Sequence, residues 1–448
     1  MNSNHITILK TLTDAGFSAY IVGGFVRDHL LGLPSKDIDI TTSATPEDVK
    51  GLFPHTDFVG AHFGISLVKT DDGKTIEVAT YRTDGIYKDA RHPSSVAFTN
   101  DPRVDVSRRD FSINSLLMDF NGNVIDHFGG LGDLKTRSIR AVGEPTLRFQ
   151  EDALRMLRAV RFACQLGFKI EGTTLEGIRA CANRIRMVSA ERVAQELSRI
   201  LTSGRAAYGI DLLRDAGLLH YILPEIEILK DCPQSKKWHP EGDVYMHTLA
   251  LLRNLTHGCS LTLALGALLH DVGKPATLKF KADGSPTSHG HAEAGEPIAG
   301  AILRRLKFPN EVVDTVKSHV RQHMVFPALP EMRKVKQLRF IRQVGFHELL
   351  ELHRLDSLAG VGDLSSYRYA GELLTATPQE VLHPVRLITG HDLIKLGLKP
   401  GPLFREVLDE IELLQLDGKV QTREECIAIA LAKSESFQPI ANAVLSEI

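Results

Sequence analysis

An α+β head built on a mixed sheet, followed by a wholly helical remainder, is the fold class this sequence predicts. Two observations carry that expectation. Up to about residue 141, short β-rich runs ("AYIVGG", "DIDITTS", "ISLVKT", "TIEVATYR", "NVIDHF") alternate with helical stretches. From Thr146 onward strand signals disappear, and runs such as "EDALRMLRAVRFACQLGF" place apolar residues at helical spacing. The length, 448 residues, predicts two to four domains.

Taken in order, the first element is a strand over 19–22, followed by a Gly23-Gly24 turn and a short helix over 25–31 that Gly32 stops. Glycines there let backbone amides approach a ligand, and the helix start favours an anion. Arg27 stands on the first turn, placed to grip a phosphate. Asp37 and Asp39 fall at i and i+2 on the next strand, so both point to one face. Two carboxylates converging beside a phosphate cradle suit Mg²⁺ and phosphoryl or nucleotidyl transfer. Either feature alone reads as a tight turn or as two surface acids, but this pair interrupts an apolar strand, where unpaired acids are costly. Thr45-Pro46-Glu47-Asp48 then offers an N-cap, a proline and first-turn acids. Glu77 is a candidate third acid or half of an ion pair. In the helix from Glu151, Asp152 and Arg155 are i and i+3 neighbours, and Gly167 suits the helix end.

Composition narrows the function classes. Apolar residues make up 43% and charged residues 24%, and the net charge is −2, so any nucleic-acid surface must be local. One such locality is 135–161, with seven basic and three acidic residues. Five scattered cysteines without a CxxC pair argue against a disulfide framework or thiolate metal site and fit a reducing cytoplasm. The N-terminus lacks a signal-peptide pattern, and no apolar run is long enough to span a bilayer.

"VGGFVRDHLLGLPSKDIDITTSATPEDV" resembles the signature of the class II tRNA nucleotidyltransferase and bacterial poly(A) polymerase family, within the polymerase-β-like superfamily. "YRTDGIYKDARHPSSVAF" is similar to the family's flexible loop, "SRRDFSINSLLMD" to its Arg-Arg-Asp motif, "EDALRMLRAVRFA" to its base-selecting helix and "SAERVAQELSRIL" to its neck motif. The resemblance spans roughly 21–201. It implies that Asp37 and Asp39 hold the catalytic Mg²⁺, and that Gly24 and Arg27 hold the triphosphate. Arg109, Arg158 and Arg161 contact the nucleotide, and Asp110 organises the loop. An aspartate accepts and an arginine donates, so Asp152 with Arg155 matches the amine-beside-acceptor edge shared by cytosine and adenine and mismatches uracil and guanine.

The second half gathers His239, His247, His270, His289, His291, His319 and His323. "GALLHDVGKP" resembles the HD phosphohydrolase superfamily, which implies a metal site of His247, His270, Asp271 and Asp356 for a divalent transition metal or Mg²⁺. His291, His319 and His323 are candidates for a second metal position. The expected domains are a nucleotidyltransferase head (1–141), a helical neck with the base-selecting helix and an RNA-binding surface (142–229), an HD domain (230–375) and a helical tail (376–448). From residue 401 the tail carries nine acidic and four basic residues, an awkward surface for RNA.

The resemblance implies an enzyme that adds CCA to tRNA 3′ ends from CTP and ATP without a nucleic-acid template. Partial CC or A addition and poly(A) synthesis are the near alternatives. A metal-dependent HD phosphohydrolase with an RNA-binding head, and an inactive RNA-binding module, are the distant ones.

Overall fold

A computed structural model describes residues 3–35, 38–58, 64–70, 72–85, 95–382, 385–396 and 400–433. Asp37 and most of the expected flexible loop (86–94) lie outside the described residues.

The head is a seven-stranded mixed sheet in the order β3-β4-β5-β2-β1-β8-β9. Its strands are β1 (Ala19–Val22), β2 (Asp39–Thr42), β3 (Thr56–Phe58), β4 (Ile65–Lys69), β5 (Thr75–Thr80), β8 (Leu116–Met118) and β9 (Val124–Asp126). Between them, β6 (Arg82–Asp84) and β7 (Val96–Phe98) form a separate antiparallel pair. Central β1 is antiparallel to both β2 and β8, while β2 runs parallel to β5. The helix Ser3–Asp14 buries Ile8, Leu9 and Leu12 in the same core. The helix Gly24–Leu30 starts one residue earlier than expected, directly on the second glycine. Thr45 and Asp48 form a reciprocal capping box at Pro46–Leu52, as the local sequence asks.

Helices dominate after Thr146, with two corrections. Lys169–Ile170 pairs in parallel with Ser138–Ile139, tying the neck to the head, and Lys279–Phe280 forms a small hairpin with Pro286–Thr287. The expected single helix from Glu151 is two helices, Pro145–Glu151 and Leu154–Leu166. Asp152 between them is extended (φ −138°, ψ 105°), and its Oδ1 accepts from Leu154 N at 3.0 Å. That local bond competes with the helical ladder, as short acidic side chains do. Gly167 closes the second helix in the left-handed region (φ +67°).

One continuous apolar core runs from the head through Leu382. The tail has a second core of its own, from Ile388 to Ala430. Among the described residues no helix is long and apolar enough to cross a membrane.

Candidate functional site

Gly23 leaves β1 at φ +82° and ψ −137°, a conformation suited to glycine. A methyl group there would lie 2.9 Å from Arg109 Nη1 and 3.9 Å from Asp39 Oδ2. The glycine turn, a guanidinium and a carboxylate therefore meet at one point. Strand register explains why: Asp39 pairs with Val22, the last residue before the turn. Glu77 lies on β5 just before Val78, which pairs with Ile40. Burial, then the charge of Asp39, pushes the Glu77 carboxyl up from its ordinary value, so the two acids feel each other. Arg109 keeps a buried Nε with no hydrogen-bond partner. A buried donor of this kind is costly unless a ligand uses it.

Behind the turn, Arg27 Nη1 donates to Asn114 Oδ1 at 2.7 Å, and Asn114 Nδ2 donates to Asp110 Oδ1 at 2.9 Å. Asp110 Oδ2 accepts from Arg158 Nε at 2.7 Å. Burial would raise the Asp110 carboxyl, but Arg158 and Asn114 outweigh it and hold it at about 2. This chain of bonds links the head to the second neck helix. The sequence reading missed its platform, Phe162: the guanidinium carbons of Arg27, Arg158 and Arg161 lie 4.9, 5.5 and 4.0 Å from its ring centroid. The available signal was the spacing, since Phe162 follows Arg161 directly and sits one helical turn after Arg158. Arg161 is buried and donates from Nε to Glu196 at 2.5 Å.

The expected base-reading pair is arranged differently from a shared helix face. Asp152 lies at the break and pairs with Arg192 Nη2 at 3.2 Å. Arg155 is buried, and its guanidinium donates to Glu151 Oε2 at 2.7 Å and to the carbonyls of Arg148 and Arg108 at 3.3 and 2.8 Å. The acceptor–donor pair on display is Asp152 with Arg192. Arg155 braces the Arg-Arg-Asp segment that carries Arg109.

The histidine-rich half makes a second, buried centre. His247 Nε2 lies 2.9 Å from Asp356 Oδ1, and His270 Nε2 lies 3.2 Å from Asp271 Oδ2. On the other side of Asp271, its Oδ1 is 3.2 Å from His291 Nε2, which is 3.1 Å from His323 Nε2. The outward nitrogens are all occupied. Nδ1 of His270, His291 and His323 meets the carbonyls of Ala267, Ser288 and Val320 at 3.0, 2.9 and 2.7 Å, and Nδ1 of His247 meets Glu241 Oε1 at 2.5 Å. Such bonds fix the tautomer and turn Nε2 inward, as metal-binding imidazoles require. Burial would raise the Asp271 and Asp356 carboxyls, yet His270 and Lys274 beside the first, and His247 beside the second, hold both well below the usual range. Donor atoms of His247, His270 and Asp271 lie within 4.8 Å of one another, and so do those of Asp271, His291 and His323. Asp271 is common to both triplets. His270 Nε2 has no hydrogen-bond partner, which fits a metal-ligand atom. His319 does not join: its Nε2 faces Glu348 at 3.8 Å. Glu241, which the sequence reading passed over, is the acid that orients His247.

The poly(A) polymerase head-domain model matches residues 19–140, the model for a probable RNA and SrmB-binding site of polymerase A matches 167–229, and that of tRNA nucleotidyltransferase domain 2 matches 293–431. The CCA-adding enzyme of Levilactobacillus brevis is 32% identical, the alignment covering 95% of this chain and 96% of that one. That of Lacticaseibacillus paracasei is 36% identical over 91% and 90%. The crystal structure of the Bacillus stearothermophilus CCA-adding enzyme in complex with CTP superposes with a TM-score of 0.70 at 28% identity, covering 98% of this chain and 100% of that one. The Thermotoga maritima CCA-adding enzyme complexed with tRNA shares the fold (TM-score 0.58, 22% identity, 97% and 96% covered). With a polymerase-type head and 32–36% identity to these relatives over nearly the whole of both chains, this chain belongs to the CCA-adding enzyme family of tRNA nucleotidyltransferases.

Proposed function

We propose that the chain adds C, C and A to tRNA 3′ ends from CTP and ATP, releasing pyrophosphate. The observation that carries this is the meeting of Gly23, Arg109 and Asp39 at the end of β1. There the backbone turn at Gly24 and the Arg109 guanidinium would bind the triphosphate, with Arg27 held behind them by Asn114. Asp39, together with Asp37, would hold Mg²⁺, and the oxygen donor set fits that hard ion. The ion supplies neutralisation of triphosphate charge and a more acidic 3′-hydroxyl. The RNA 3′-hydroxyl gives up its proton to solvent and its oxygen forms the new bond to the α-phosphorus, as the α–β bridging oxygen departs with pyrophosphate. Asp152, with Arg192 and the braced Arg155 nearby, selects amine-bearing base edges. Five free cysteines and a tRNA substrate fit a cytoplasmic setting.

The decisive assay supplies tRNA lacking its last one, two or three nucleotides, with Mg²⁺, CTP and ATP, and sequences the products. Restoration of CCA from all three supports the reading. Products ending at CC, restoration only of the terminal A, or a long A tail each replace it with one of the narrower activities.

The inward-facing nitrogens favour a second reading for the other centre. His247, His270, Asp271 and Asp356 would hold one divalent metal, and Asp271, His291 and His323 a second, for phosphoester hydrolysis in an HD domain. His and carboxylate donors together suit a divalent transition metal. Metal content of the purified chain, and release of phosphate from a model monoester, test this directly. A chain with no bound metal and no esterase activity after metal loading refutes it.

A further inference from the structure

Residues 333–342 read "RKVKQLRFIR", five basic residues and no acidic one. The helix Lys334–Ile341 buries Gln337, Leu338, Phe340 and Ile341, which turns Lys336 and Arg339 to solvent. They line a groove of about 670 Å³ with Arg342, Gln343, Arg386 and Glu412. Arg386 belongs to the segment entering the tail, and Glu412 to the tail helix Pro402–Leu416. The groove thus lies between the histidine-rich unit and the tail.

Four cations face one carboxylate there. Glu412 is already spent on Arg342, whose Nη1 donates to it at 3.0 Å. Burial would raise the Glu412 carboxyl, but Arg342, Arg386 and Arg339 pull it below its ordinary value, so all three guanidinium charges reach this spot. Among the described residues Lys336, Arg339 and Arg386 have no ion-pair partner. Gln343 adds a buried Nε2 without a hydrogen-bond partner. Uncompensated like charges and an idle donor in one concave place call for an anion.

We infer that this groove is a phosphate-binding site for the sugar–phosphate backbone of the RNA substrate. Several linked phosphates neutralise cations on both walls at once, which a single small anion does not. The acidity of the tail then has a role as well: Glu412 ties the tail to the basic helix, and the helix supplies the positive face. The inference rests on tRNA being the substrate, so its test reads binding rather than catalysis.

Lys336 and Arg339 are exposed, so the double variant Lys336→Glu/Arg339→Glu leaves the core untouched. Fluorescence anisotropy of labelled tRNA across a salt series is expected to show Kd raised roughly tenfold, with the slope of log K against log salt shallower by about 1.5, as for two lost phosphate contacts. The KM for CTP is expected to stay at the wild-type value. An unchanged Kd and slope overturns the inference. So does a variant that binds tRNA normally while losing affinity for inorganic phosphate or tripolyphosphate, since that result gives the groove to a free anion. A wild-type chain that binds tRNA through the groove yet adds no nucleotide would break the functional reading alone. The neutral pair Lys336→Gln/Arg339→Gln, which loses the same two phosphate contacts and is expected to show a similar slope change with a smaller rise in Kd, guards against an artefact of added negative charge.

Discussion

In the histidine centre every outward ring nitrogen of the four facing histidines is tied to a carbonyl or to Glu241, and the inward ones converge on Asp271. In the head, Arg109 keeps a buried idle Nε, and Asp39 stands at the lip of a glycine turn. The first centre is held in place by bonds within the protein. In the second, Arg27 and Arg158 are locked by Asn114 and Asp110, while Arg109 keeps a donor atom that the protein does not use. A site that must take CTP and then ATP on a growing RNA end benefits from that openness, whereas a metal centre benefits from rigid donors.

The sharpest way to break the comparison is to remove one carboxylate from each centre. Asp39→Ala is expected to lower nucleotide addition by about a thousandfold or more, as loss of a metal-holding group does, while metal content of the histidine centre stays at the wild-type level. Primer extension on tRNA and elemental analysis on the same preparation read both. Retained turnover would remove Asp39 from the catalytic role. Conversely, His270→Ala is expected to lower metal affinity of the histidine centre by at least tenfold to a hundredfold and to leave CTP incorporation within about twofold. Loss of incorporation in a folded variant would show that the two centres are coupled.

Sequence alone carried much of this arrangement. The sheet, the glycine turn and the pairing of His270 with Asp271 follow from local patterns, because alternation, glycine and adjacency act over a few residues. What stayed hidden depends on side-chain direction. Nothing in "EDALR" announces that Asp152 would cap Leu154 and split the helix, which sends Arg155 back to the Arg108 carbonyl and leaves Arg192, forty residues on, facing Asp152. His319 shares the composition of the cluster and misses it, because its helix points the ring at Glu348. Glu241 and Phe162 were legible only as an acid and an aromatic until their partners were in place.

Base choice offers a finer test. Asp152→Ala removes the acceptor for the exocyclic amine and is expected to cost about 1–3 kcal/mol of discrimination, roughly tenfold to a hundredfold in the ratio of kcat/KM for CTP to that for UTP. Arg192→Ala is expected to shift the same ratio, and Arg155→Ala to lower rates for all nucleotides together, since its donors brace backbone. A ratio that moves with Arg155 and not with Arg192 would return the donor role to Arg155.

The smallest expected effect belongs to Phe162, and it asks whether the locked part of the head site matters to the open part. Three guanidinium groups share this ring, which is itself buried against Phe111 at 5.8 Å, edge on. Such contacts contribute about 1 kcal/mol each when partly desolvated. Phe162→Leu keeps an apolar side chain in the core while removing the ring face. It is expected to raise KM for CTP and ATP alike by roughly fivefold, about 1 kcal/mol, with the CTP to UTP ratio unchanged, because Arg27 and Arg158 lose their common support while Asp152 does not. A purely structural role predicts something else: a lower melting temperature with KM for both nucleotides at the wild-type value. Measuring melting and nucleotide KM on one preparation separates the two, and a drop in stability alone would reduce Phe162 to ordinary core packing.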